Sequence, residues 1–303
     1  MKLIILGAAA GGGFPQWNCG CGNCRRARTG DPAARKRTQA GIAVSADGES
    51  WLLVNASPDL REQIGATPAL HPRDGLRDSP IDAVALTGGE IDFTAGLLNL
   101  REGHRFGLYG TERVLGRLDA NPVFRVLEPT LVPRRQFAIG ETVTVTDGAG
   151  SDLGLTLRAF HVPGKVPLYA EGESGEDFAV DDGDTIGLEI SAADSVLLYV
   201  PGCARLTDEL RQLIAGAPLV LFDGTLWRDD EMVSLGLSAK TGARMGHMSA
   251  VDTIAAFADL GVARKVFVHV NNSNPMIVDD SPERAEAERA GWIIAHDGME
   301  IAL

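Results

Sequence analysis

The strongest constraint on how this chain folds is the recurrence of short runs rich in Val, Ile and Leu. They include "KLIILG" (2–7), "GIAVSA" (41–46), "WLLVNA" (51–56), "AVALT" (83–87) and "TVTVT" (142–146). Further along come "LTLRAFHV" (155–162), "TIGLEI" (185–190), "VLLYV" (196–200), "LVLFDG" (219–224) and "KVFVHV" (265–270), and "GWIIAHDGMEIAL" closes the chain. Runs of this length and composition specify strands. Helices are expected between them. "SPDLREQI" offers a Ser cap with Pro at the first helical position, and "SPERAEAERAG" starts the same way and stops on Gly291. Thr207 caps "TDELRQLIAGA", and "SAVDTIAAFADLG" ends on Gly261. Strands come first in hairpin-like groups and later alternate with helices. That order predicts an α/β sandwich of two mixed sheets with helices outside, not one parallel sheet. No repeat of fixed period and no long linker interrupts it, so residues 1–303 are expected to form a single domain.

Composition narrows the function. Apolar residues make up 45% of the 303, enough for a sizeable core, and the net charge of −13 argues against nucleic acid as a partner. No apolar run approaches the ~20 residues that span a bilayer, so no membrane insertion is expected. "MKLIILGAAAGGG" is shorter in its apolar part than a signal peptide's ~7–15-residue core and fits a first strand. A cytoplasmic protein is the expectation. The acidic, glycine-rich segment 170–184 suits a solvated loop or a flap over a site.

"NCGCGNC" places Cys19, Cys21 and Cys24 in C-x-C-x2-C spacing. Three thiols on a glycine-rich loop suit a tetrahedral structural Zn2+. The fourth ligand must come from far along the chain, with His269, His247, Cys203 and Asn272 as candidates; asparagine is a poor zinc ligand, which favours His269. "LGAAAGGGF" lacks the helix that a dinucleotide fingerprint runs into, and tight packing beside the cysteine loop explains it better. Elsewhere one pattern repeats: a strand, a loop bearing Asp or His, then a helix. Asp92 is a helix N-cap or a ligand at a helix start. Asp223 ends the run "LVLF", where α/β proteins place sites. His247 precedes a helix, and His269 lies in an apolar run where a buried imidazole needs partners. Several strand ends can thus converge on one small ligand or ion.

With these residues in view, the chain resembles the metallo-β-lactamase superfamily, an αβ/βα sandwich, over essentially its whole length. The blocks "AAAGGGFPQWNCGCGNC", "NASPDLR", "DGTLWRDDEM", "TGARMGH", "VHVNNSNP" and "DGMEI" resemble the pyrroloquinoline quinone (PQQ) biosynthesis B family. The superfamily pattern H-x-H-x-D-H, laid on this chain, falls on Gly88, Glu90, Asp92 and Phe93. Lys165 stands where hydrolases carry a histidine after Pro-Gly, and Cys203 where many carry a bridging aspartate. In relatives with the cysteine loop, a histidine completes the zinc site at the position of Asn272. The resemblance therefore implies no two-metal hydrolase, and a role in making PQQ from a crosslinked Glu-Tyr precursor. One implied activity is iron-dependent hydroxylation of the tyrosine-derived ring, with Asp92, His247 and Asp223 as catalytic residues and Fe2+ at a second site. The other is a non-catalytic carrier that binds PQQ or its precursor and aids transport to the periplasm. Either ligand is anionic and aromatic, which directs attention to Arg101, Lys240 and Arg244 for charge and to Trp17, Phe93 and Trp227 for stacking. Other proteins of the PQQ pathway are expected partners, and a homodimer is the expected assembly.

Overall fold

The computed structural model describes residues 1–170 and 183–303, with the backbone alone of 178–180, so most of the acidic 170–184 segment lies outside the described residues. The first sheet takes β1 (Lys2–Gly7), β2 (Gly41–Ser45), β3 (Trp51–Val54), β4 (Ile81–Ala85), β5 (Gly107–Gly110) and β6 (Arg134–Gln136). Then come β7 (Thr142–Thr146) and β8 (Asp152–His161), the short pair β9 (Gly164–Lys165) and β10 (Phe178–Val180), and β11 (Ile186–Ala192). The chain continues through β12 (Ser195–Val200), β13 (Leu219–Asp223), β14 (Arg264–Val268), β15 (Trp292–Ile294) and β16 (Glu300–Ala302). The two large sheets run β16-β1-β2-β3-β4-β5-β6 and β15-β14-β13-β12-β11-β8-β7. In each, four strands pair antiparallel and the rest continue in parallel, so two halves without sequence repeat share one topology.

Alternation along the strands builds three cores. In β1, Leu3 and Ile5 enter the core between the sheets, while Ile4 and Leu6 face the opposite side under the first helical layer. β13 does the same, with Leu219 and Leu221 inward and Val220 and Phe222 toward the second helical layer. Each such buried aliphatic contributes about 1.5–3 kcal/mol. Trp292 anchors the second outer core, stacked on Phe267 at 3.8 Å and edge-on to Phe257 at 5.1 Å. The result is two mixed sheets flanked by helices, as the strand order predicts.

Local signals largely hold. Thr207 caps Asp208–Ile214 through Leu210 N–H, and Ser281 caps Pro282–Arg289, with Gly291 beyond it at φ 79°. The helix expected from Ser57 begins later, at Leu60–Ala66, because the Ser57 hydroxyl bonds the Gln63 side chain instead of capping. The run expected as strand to 270 ends at Val268. His269 turns to φ 56°, and this left-handed step aims the next residues away from the sheet.

Candidate functional site

Two clusters of ligand-type side chains meet at one loop. In the first, the Sγ atoms of Cys19, Cys21 and Cys24 lie within 4.8 Å of one another. Cys21 caps the helix Gly22–Arg28, so the third thiol comes from a helical turn and not from open loop. The Asn272 amide completes the enclosure, 3.1 Å from Cys19 Sγ and 3.3 Å from Cys24 Sγ. Asn23 ties the same loop down by donating to the carbonyls of Asn272, Ser273 and Asn274. Burial pushes the Cys24 thiol up to about 12, whereas at Cys19 hydrogen bonds from Cys21, Cys24 and Asn272 outweigh burial and lower it. A thiolate-binding cation would reverse the cost of charging all three, and the donor set fits zinc.

His269 is not part of this cluster, contrary to the expectation. It belongs to the second, because the left-handed turn at 269 leaves its ring at the end of β14 and delivers the side chain three residues later to the thiols. His269 Nε2 lies 3.1 Å from Asp92 Oδ2, a contact across 177 residues of sequence. On its other side, His269 Nδ1 is 2.8 Å from Thr225 Oγ1. The same hydroxyl reaches Asp223 Oδ1 at 2.6 Å, and Asp223 Oδ2 meets His247 Nδ1 at 2.8 Å. The two imidazoles are stacked with centroids 5.3 Å apart, and Phe93 packs edge-on to His269 at 5.8 Å. Asp223, His247 and His269 place ligand atoms within 4.8 Å of one another.

The proton count assigns the roles. A threonine hydroxyl has one proton and accepts others. The shortest contact gives that proton to the Asp223 carboxylate, so Thr225 accepts Nδ1–H from His269. Asp223 then holds four donors: Thr225 N–H at 3.0 Å and its hydroxyl on Oδ1, Cys203 N–H at 3.0 Å and His247 Nδ1–H on Oδ2. A carboxylate so saturated orients its neighbours, and Asp223 also belongs, with His247 and His269, to the group whose ligand atoms lie close enough together to hold an ion. His247 keeps Nε2 for the cavity side, whereas His269 Nε2–H donates to Asp92 Oδ2, so with Nδ1–H on Thr225 the His269 ring carries both protons. Burial raises the Asp92 and Asp223 carboxyls, but the histidines beside them outweigh it and hold both below the usual range. For His269, burial works against the charged ring, yet Asp92 and Asp223 prevail and raise it.

A cavity of about 240 Å³ opens over this cluster, with Asp92, His247, His269 and Lys165 on its wall and Phe93, Met232 and Met245 as apolar flank. Lys165 Nζ pairs with Glu90 Oε1 at 2.9 Å, so two positions that the hydrolase pattern gives to metal ligands hold each other instead. Arg101, Lys240 and Arg244 do not line the cavity. Arg101 follows the turn Ala95–Leu100 outward and meets Glu102, while Lys240 and Arg244 flank a loop whose Met245 and Gly246 do the facing. Trp17 is exposed and Trp227 is buried in the outer core, which leaves Phe93 of the three aromatics at the cavity. Sequence reasoning missed Thr225 and Lys165 as site residues. The signal for Thr225 was its place two residues after an aspartate at a strand end.

Fold and site together define a metallo-β-lactamase-type sandwich, and residues 50–270 match the beta-lactamase superfamily domain. The chain belongs to the family of coenzyme PQQ synthesis protein B. It is 56% identical to that protein of Gluconacetobacter diazotrophicus, over 99% of both chains, and 55% identical to that of Xanthomonas euvesicatoria pv. vesicatoria over 100% of both. The crystal structure of Zn2+-bound PqqB from Methylobacterium extorquens superposes with a TM-score of 0.95 at 49% identity, covering 100% of both chains. A diphosphatase of the PhnP family shares the fold at a TM-score of 0.68 and 20% identity, covering 99% of this chain and 96% of its own.

Proposed function

We propose that this chain acts in coenzyme PQQ synthesis as an iron-dependent hydroxylase of the tyrosine-derived ring of a Glu-Tyr precursor. One observation carries the reading: Asp92, His247 and His269 share one cavity wall, with Asp223 and Thr225 holding the imidazole nitrogens that face away from it. Two imidazoles and a carboxylate with open positions suit Fe2+, and bound there the ion supplies dioxygen activation. The protein's own contribution is orientation. Thr225 and Asp223 hold the Nδ1–H groups of both rings, so that an ion taking the place of the Nε2 proton of His269 would find Nε2 of each ring offered to it. His247 stands in for the histidine that Phe93 replaces, and Phe93 with the methionines gives an aromatic ring an apolar seat. The family's name supports the pathway, and the Zn2+-bound M. extorquens relative supports zinc as an ion of this family, for which Cys19, Cys21 and Cys24 are the donor set that suits it best. Asn272 faces the fourth zinc position, and a half-turn of its amide presents the oxygen.

The carrier reading draws on Phe93 itself. A buried phenyl ring against His269 offers stacking surface and removes a ligand, which favours holding PQQ or its precursor without turnover. Elemental analysis of protein purified without oxygen and offered Fe(II), followed by oxygen uptake with the precursor, separates the two. Iron near one per chain beside zinc, lost in Asp92→Ala along with oxygen uptake, is the result expected of a hydroxylase. Zinc alone with no uptake leaves the carrier.

A further inference from the structure

The cavity is asymmetric. One end carries Asp92, His247 and His269; the other carries the Lys165–Glu90 ion pair, with Phe93, Met232 and Met245 between. Both members of the pair are mostly enclosed, with side chains 21% and 19% exposed. The position of the ammonium is built in from below. Lys165 is fixed by its backbone in the β9 pair, and its carbonyl accepts the Thr185 hydroxyl at 3.0 Å. Its aliphatic stem lies over Gly246, where an added Cβ would sit 3.2 Å from Lys165 Cγ and where φ is 85°. Glycine there leaves room for the stem and supplies the left-handed turn. Glu90 is less firmly held, since its other oxygen makes one long contact of 3.4 Å with Leu168 N–H.

From this arrangement we propose that Lys165 is the carboxylate-recognition residue of the cavity, and that Glu90 holds its ammonium in place until a ligand carboxylate displaces it. The ligand class is an aromatic carboxylate whose ring lies against Phe93 and the methionines and whose far edge points at His269 and Asp92. The inference rests on the proposed PQQ-pathway reading and adds the residue that selects for the acid. Arg101, Lys240 and Arg244 lie outside the cavity lining, and among the described residues Lys165 is the Lys or Arg on that wall.

The test compares binding of coenzyme PQQ with binding of its trimethyl ester by titration calorimetry, in wild type, Lys165→Met, Lys165→Arg and Glu90→Gln. Methionine keeps the stem and removes the charge, and thermal unfolding checks that each variant is folded. A charge-assisted contact in a half-enclosed site predicts that wild type prefers the acid by about 10-fold or more. Lys165→Met should erase most of that preference, Lys165→Arg should keep part of it, and Glu90→Gln should tighten PQQ several-fold. Full preference for the acid in folded Lys165→Met overturns the assignment while leaving the pathway reading intact. Weaker PQQ binding in Glu90→Gln overturns the displacement step. Failure of wild type to bind either compound overturns the role given to Lys165 while the family assignment stands.

Discussion

Thr225→Val is the sharpest perturbation of the second cluster, because it changes one polar atom and almost no volume. The hydroxyl donates to the Asp223 carboxylate at 2.6 Å and accepts from His269 Nδ1 at 2.8 Å. A hydrogen bond to a charged group contributes about 1.5–3 kcal/mol, and a buried donor left without an acceptor costs about 1–3 kcal/mol. Asp223 is fully buried and the His269 side chain is 6% exposed, so water replaces neither partner. Asp223 keeps its other three donors, which places the combined loss near the lower half of that range, about 3 kcal/mol. Urea unfolding of the two proteins at pH 7 and equal metal loading measures it. Thr225→Ser, which restores the hydroxyl, should recover all but ~1 kcal/mol. The ring of His269 should also lose its Nδ1–H acceptor, visible as a changed 15N shift pattern at Nδ1. A valine variant within 0.5 kcal/mol of wild type, or a serine variant no better than valine, would refute the assignment of Thr225 as the hub.

Other outcomes follow from single features. Burial raises Glu231 from 4.5 to about 6, although it accepts from Trp227 N–H and pairs with the Ser273 hydroxyl. The folded state holds this proton more tightly than the unfolded chain, so its contribution is fully present below pH 4.5 and falls as pH rises through about 6. The loss amounts to about 2 kcal/mol, and Glu231→Gln should flatten urea midpoints across that window; parallel curves would contradict it. Trp292→Ala empties a site stacked between Phe267 and Lys265 and should cost about 3–5 kcal/mol in the same assay; a loss below 1 kcal/mol would show that the outer core collapses around the gap. Cys24→Ser, in a fully buried thiol, should lower zinc content well below one per chain and reduce the melting temperature, and unchanged stoichiometry would place the ion elsewhere.

The strands were legible because period-two burial is written in local sequence, as in Leu3 and Ile5 against Ile4 and Leu6. β5 and β6 were not. "GLYG" has glycines where neighbours crowd the backbone (a Cβ on Gly107 would meet Thr146 O at 2.7 Å), and "RRQ" is a polar edge strand. Asp92 was visible at a helix start, His247 before a helix and His269 in an apolar run, but their partnership was not, because it is formed by the packing of distant elements. The same limit misassigned His269. Chain proximity to Asn272 could not reveal that one left-handed residue sends the two side chains to different centres. Lys165 was visible only as a departure from a pattern, since its meaning lies in Glu90 across the cavity.

The stretch 269–274 gives each of several side chains a different duty: His269 to Asp92 and Thr225, Asn272 to the thiols, Ser273 to Glu231, and Asn274 to the carbonyl of Gly224. For anyone redesigning this protein, that makes the stretch the wrong place to diversify. A library randomised there would mix every change of chemistry with a change of scaffold, and most clones would be lost before selection began. Leu168 and Met245 border the same cavity through apolar side chains, and a library built on them could vary ligand preference while both centres stay in place.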